Sequence, residues 1–210
     1  MEVWFPVALA VLGASSGVPL TRAAERMLRG GRRFGWPVQV VVGASTGALV
    51  AGVAFVLGPV EELPAYLYLV GIAVVLAVVD ITEKRLPNAI IYPSLVALPA
   101  LLTAAAWVTN QWPALLGAAL GAAALFALYL LLALVAPGGI GLGDVKLAAV
   151  IGFPLGYLGW TPVFVGGFSG FLIGSLVSLA AIAARRATLT SSLPFGPSML
   201  AGAFVGVFFS

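Results

Sequence analysis

Long apolar blocks alternate along this chain with short polar or glycine- and proline-rich interruptions. The blocks have the length needed to cross a hydrocarbon layer as helices. Their pattern predicts helices at about 3–20, 37–58, 65–80, 89–108, 114–136, 144–158, 163–183 and 194–210. Between them it predicts an arginine-rich loop, a Pro59–Pro64 turn, a polar 81–88 turn, a turn at Thr109–Pro113, a glycine-rich turn at Pro137–Gly143, a break near Gly159–Pro162, and a polar loop at Arg185–Ser192. The expected architecture is all-α, a polytopic transmembrane bundle of about eight helices. The first block precedes its basic cluster instead of following it, so it is expected to be a membrane span with its N-terminus outside, not a cleaved signal peptide.

The polar positions orient this pattern. With the N-terminus outside, the inside segments are those near 21–36, 81–88, 137–146 and 184–193, by about the same boundaries. Arg22, Arg26, Arg29, Arg32 and Arg33 fall in the first, Lys84 and Arg85 in the second, Lys146 in the third, and Arg185 and Arg186 in the fourth. All ten cations then share one side, while Glu2, Glu61 and Glu62 lie on the other. Both termini are expected outside. The arginine-rich loop reads as a topology determinant and a contact for anionic lipid, not as a nucleic-acid patch.

Composition closes off other classes. The chain is 62% hydrophobic and 8% charged, where soluble domains run at about 45–50% apolar and about 25% charged. Its 210 residues leave no room for a separate soluble domain beside the spans. It has no cysteine and no histidine, which excludes disulfides, thiol and imidazole catalysis, and Cys/His zinc sites. No metal site is expected. Small-xxx-small spacings at Gly43/Gly47, Gly117/Gly121, Gly166/Gly170 and Gly170/Gly174 predict close helix packing.

Acid–base chemistry falls to the carboxylates. Glu2, Glu61 and Glu62 sit in exterior water, and Glu25 and Glu83 among cations. Asp80 and Asp144 differ, each lying where a span meets an inside turn. Asp80 closes the run Val74-Val-Leu-Ala-Val-Val-Asp80, and Asp144 follows Gly138-Gly-Ile-Gly-Leu-Gly and opens the next apolar run. An ionisable residue in a membrane segment is a functional candidate by default. The plainer alternatives are a helix N-cap for Asp144 and a turn cap or Lys84 partner for Asp80. Gly141 and Gly143 permit a close approach of another chain just before Asp144. Two carboxylates at matching depth can hydrolyse a peptide by holding one proton between them, one activating water and the other polarising the scissile carbonyl.

Three stretches carry a family resemblance: Asp80-Ile-Thr-Glu-Lys-Arg-Leu-Pro-Asn88, Gly141-Leu-Gly-Asp-Val-Lys-Leu147, and Leu193-Pro-Phe-Gly-Pro-Ser-Met-Leu-Ala-Gly202. In order and spacing they resemble the signature segments of type IV prepilin peptidases, membrane aspartic proteases of the GxGD type. The resemblance implies a catalytic dyad at Asp80 and Asp144, with Pro87, Asn88, Gly141, Gly143, Lys146, Pro194, Gly196 and Pro197 shaping the site or binding substrate. It implies cleavage of short basic leader peptides from prepilins or pseudopilins at the inner face of a prokaryotic cytoplasmic membrane, with membrane lipid as the other partner and no nucleic acid. It divides the chain into a two-helix region at 1–64 and a six-helix aspartic peptidase domain at 65–210. Many members carry a four-cysteine zinc loop tied to N-methylation of the new terminus. This chain lacks cysteine, so the 1–64 region reads as a degenerate counterpart. Proteolysis needs no cofactor; S-adenosylmethionine enters only if methylation is retained. The alternatives are a presenilin-like GxGD protease and a proton- or cation-coupled transporter component.

Overall fold

The computed structural model describes residues 4–135, 140–185 and 194–210. Among the described residues the chain forms nine helices and no strand: α1 (Trp4–Ser15), α2 (Gly17–Met27), α3 (Trp36–Leu57), α4 (Leu63–Glu83), α5 (Asn88–Thr109), α6 (Trp112–Val135), α7 (Leu142–Leu158), α8 (Trp160–Ala183) and α9 (Gly196–Phe208). Five of them, α3, α4, α5, α6 and α8, are long and apolar enough to cross a membrane. The α1–α2 pair makes a sixth candidate, bent by 44° at its junction. The all-α polytopic bundle is therefore what the chain forms.

Several boundaries move. The first predicted span continues past its expected end, because α2 carries the helix through Arg22 and Arg26 to Met27. The bend has a local cause. Pro19, in the first turn of α2, has no N–H with which to reach the Ser15 carbonyl. The third predicted span does not stop at Asp80; α4 runs to Glu83 and ends where Lys84 turns left-handed, at φ 52°. The sixth begins at Leu142, with Gly141 as N-cap, so Asp144 lies inside the first turn of α7. The expected break at 159–162 narrows to Gly159 alone, at φ 126°. Ala136 of the fifth predicted span, Pro137 to Gly139 of the glycine turn, Arg186 to Ser192 of the last loop, and Leu193 lie outside the described residues.

The centre of the bundle is α4. Its apolar window is 61% buried, against 22% for α6. Leu69, Val70, Leu76 and Val79 of α4 are enclosed by neighbouring helices. The Tyr66 hydroxyl donates to the Pro154 carbonyl at 2.8 Å and fastens α4 to α7. The outer pairs pack through glycine. A Cβ on Gly121 of α6 would lie 2.7 Å from the Gly152 carbonyl and 2.8 Å from Gly156 Cα of α7. A Cβ on Gly202 of α9 would lie 2.6 Å from the Gly166 carbonyl and 2.6 Å from Gly170 Cα of α8. The α1–α3 pair follows the same rule, since a Cβ on Gly47 would lie 2.8 Å from the Ala10 carbonyl. Small residues at such crossings let backbones meet in lipid.

This packing yields a paired test. Gly121→Ala should lower stability by about 1–3 kcal/mol through overpacking. Gly71→Ala, in α4 with open space around the new methyl, should be neutral or stabilising by up to about 1 kcal/mol through helix propensity. Denaturant unfolding of the purified protein in mixed micelles reads both; equal effects at the two positions would sink the close-packing account.

Candidate active site

The connection from α4 to α5 creates the site. The Lys84 amide donates to the Asp80 carbonyl at 2.8 Å, and its left-handed backbone ends α4 one turn beyond Asp80. Pro87 then caps α5 and is buried, while Asn88 opens that helix. The short 84–87 segment folds Leu86 back between two helix starts. A Cβ on Gly143 of α7 would lie 3.3 Å from Leu86 Cβ, and a Cβ on Gly196 of α9 would lie 3.1 Å from Leu86 Cδ2.

Each aspartate is held by a glycine amide. Asp80 is 4% exposed, and its Oδ2 accepts the Gly196 N–H at 3.0 Å. Gly196 is the first residue of α9, so the carboxylate faces the positive end of that helix. Position 196 has no room for a side chain: a Cβ there would lie 2.8 Å from the Asp80 Oδ2. Asp144 is half-buried. Its Oδ2 accepts the Gly141 N–H at 3.1 Å, one half of a capping box on α7. The cap reading of Asp144 is thus part of its geometry. The two carboxylates come from different helices, α4 and α7, and Leu86 packs against both Gly143, next to Asp144, and Gly196, whose amide holds Asp80.

The other predicted residues divide into two groups. Gly141 and Gly196 each donate an amide to an aspartate, Gly143 lies against Leu86, and Pro87 caps α5. Pro194 leads through Phe195 into α9, where Pro197 sits in the first turn. Pro197 also borders an apolar groove of about 300 Å³ that Ile81, Val78 and Ala201 line. Lys146 contacts Asn88 and Tyr92. Its ammonium donates to Asn88 Oδ1 at 3.2 Å and to the Tyr92 hydroxyl at 3.0 Å, and sits 5.0 Å from the Tyr92 ring centroid. Lys146 and Asn88 therefore join α7 to α5.

Two neighbours of the site escape sequence reasoning. Leu86 is one. Tyr129 of α6 is buried, stacks on Phe171 at 5.0 Å between centroids and lies 6.2 Å from Phe195. The only available signal was a lone tyrosine in the aliphatic run of α6. Phe195, within the quoted Leu193–Gly202 stretch, precedes the glycine that holds Asp80.

A polar brace closes this end of the bundle. Glu83 accepts the Arg29 N–H at 2.7 Å and pairs with the Arg85 guanidinium, which also donates to the Met27 carbonyl. It ties the segment after α2 to the end of α4, one turn beyond Asp80.

Comparison with known proteins agrees with the motif order. Residues 67–184 match the type IV leader peptidase family. The chain is similar to a protein named prepilin leader peptidase/N-methyltransferase from Bacillus subtilis (strain 168), at 35% identity over 172 residues covering 82% of this chain and 65% of that protein. It is similar to the protein of the same name from Burkholderia pseudomallei (strain K96243), at 30% identity over 173 residues covering 79% of this chain and 52% of that protein. A third, from Pseudomonas putida, is 29% identical over 133 residues covering 63% of this chain and 45% of that protein. The chain thus spans about half to two thirds of the length of these relatives. No solved structure matches it.

The Asp80–Gly196 contact predicts a split between two substitutions. Asp80→Asn keeps an oxygen acceptor for the Gly196 amide and should change stability little. Asp80→Leu strands that amide and should cost about 1–3 kcal/mol. The same micelle unfolding measurement checks both, and equal stability of the two variants would remove the amide contact from the account.

Proposed function

The chain belongs to the type IV leader peptidase family, and from that membership we propose that it is an aspartic endopeptidase that removes short basic leader peptides from prepilins or pseudopilins. The observation that carries this reading is the convergence of Asp80 and Asp144 from separate helices, each steadied by a glycine amide.

In this reading the pair holds one proton. The ionised carboxylate takes a proton from water as the water attacks the scissile carbonyl, and the protonated one donates a hydrogen bond to that carbonyl oxygen. Collapse of the tetrahedral intermediate breaks the C–N bond, and a proton passes from the pair to the leaving amine. The bound oxygens of the aspartates leave each carboxylate oriented but still able to meet substrate. Glycine at 141, 143 and 196 keeps the surroundings free of side chains, which suits an extended substrate backbone. The apolar groove ending at Ile81 and Pro197 supports a substrate whose cleavage point borders an apolar stem. The site lies at the bundle end that gathers Arg29, Arg85 and Lys146, which the orientation rule assigns to the cytoplasm. The division at residue 64, with a six-helix catalytic part following it, belongs to the same proposal.

The relatives' name also includes N-methyltransferase. The four-cysteine zinc loop associated with that region has no counterpart in a chain without cysteine.

Co-expression with a prepilin bearing a basic leader tests the proposal. Asp80→Asn and Asp144→Asn should each reduce leader removal by at least about a thousandfold, as loss of a group acting directly on the reacting atoms does. Both variants should still insert in the membrane. Continued processing by either one rules out the dyad.

A further inference from the structure

A second polar site lies on the N-terminal side of the bundle, on α2 and the segment that follows it. Arg22 and Arg26 of α2 join Arg32 and Arg33 around a cleft of about 590 Å³, whose floor includes Glu25 and Gln39. Arg22 and Arg26 stand one helical turn apart on the exposed face of α2, while Thr21 and Ala24 are buried on its other side. Like charges at this spacing destabilise a helix. Among the described residues none of the four guanidinium groups has a hydrogen-bond or ion-pair partner. Four cations against a single carboxylate is an arrangement that folding alone does not favour.

The cleft is nevertheless ordered by contacts that leave its arginines unused. The Phe34 amide donates to Glu25 Oε1 at 2.7 Å. The Arg29 amide donates to Glu83, and Gln39 Nε2 donates to the Phe34 carbonyl at 3.4 Å. These bonds pin the 28–35 segment across the start of α3, whose N-terminus adds the positive end of a 22-residue helix. Trp36, at that start, is 74% exposed. An exposed tryptophan at the end of a membrane span marks the depth of the lipid headgroups. A basic leader peptide would be repelled here, so this cleft is not an extension of the peptidase site.

We propose that this arginine cleft binds the phosphate group of an anionic phospholipid headgroup. Guanidinium forks match phosphate oxygens in bidentate geometry, the cleft lies at headgroup depth, and its four donors converge from two directions. The inference stands whether or not the chain is a peptidase. The same chemistry would accept free phosphate, and the experiment separates the two sources.

The purified protein in a neutral detergent is titrated with phosphatidylglycerol or phosphatidylcholine, and bound lipid is counted by native mass spectrometry. Phosphatidylglycerol should bind in preference, and added salt should weaken it. The double variant Arg26→Gln with Arg32→Gln should weaken phosphatidylglycerol binding about tenfold or more, as loss of bidentate phosphate contacts does. Arg29→Gln with Arg185→Gln removes equal charge outside the cleft and should change binding less than about twofold. Arg22→Gln with Arg33→Gln probes the same cleft if the first pair fails to fold. Displacement of the lipid by inorganic phosphate would name free phosphate as the ligand, and its failure would name the headgroup. Equal losses in the cleft and control pairs, or equal binding of the neutral lipid, would overturn the proposal.

Discussion

Apolar side chains gain little by facing one another instead of lipid tails, so this bundle depends on how closely its backbones approach. The α6–α7 and α8–α9 crossings meet glycine to glycine, and a single added methyl on either side would enter the opposing backbone. Such contacts fix the axial position of a helix, because sliding by a fraction of a turn brings a bulkier residue into the crossing. Asp144 lies eight residues from Gly152, or about 12 Å along a rigid helix. Gly196 lies six residues from Gly202, or about 9 Å. The starts of α7 and α9 are therefore set from within the bundle, and both are delivered to the same end of α4.

What meets there follows from the cost of burying charge. A carboxylate as enclosed as Asp80 needs a donor, and the first amide of α9 supplies one, along with the positive end of the helix. That donor works only because residue 196 has no side chain to push the carboxylate away. Asp144 solves the milder version of the same problem within its own helix, by accepting the Gly141 amide. One aspartate is held by a distant segment and the other by its neighbour. The site is thus sensitive to the packing of α9 on the Asp80 side and largely local on the Asp144 side. Leu86 touches both helix starts and makes the α4–α5 connection part of that arrangement.

The sequence disclosed features that depend on residue type alone. Apolar blocks marked the helices, the glycine spacings marked real crossings, and Asp80 and Asp144 stood out because acids at the edge of apolar runs are conspicuous. Features set by backbone geometry were harder to see. Hydropathy placed a helix end at Asp80, but a polar side chain does not end a helix; the left-handed turn at Lys84 does. The bend between α1 and α2 depends on one missing amide at Pro19, which a hydropathy pattern does not weigh. Leu86 and Tyr129 look like any other lipid-compatible residue until their neighbours are known. Lys146 lies within reach of Asn88 and Tyr92, and no count of spacing distinguishes those partners.

The matched family stretch begins at residue 67, inside α4, so α1 to α3 precede it. The geometry nonetheless binds them to the Asp80 end of α4 in two ways. Ala24 and Leu28 pack on Val75 and Val79, the latter adjacent in sequence to the aspartate. Beyond the aspartate, Glu83 holds the Arg29 amide while Arg85 holds the Met27 carbonyl. Apolar contact on the near side and polar contact on the far side clamp the last turns of α4. A helix end left to itself frays within its final turn, and Asp80 occupies just such a turn. The N-terminal helices therefore act on the site mechanically, by keeping that turn helical, without contributing a side chain to it.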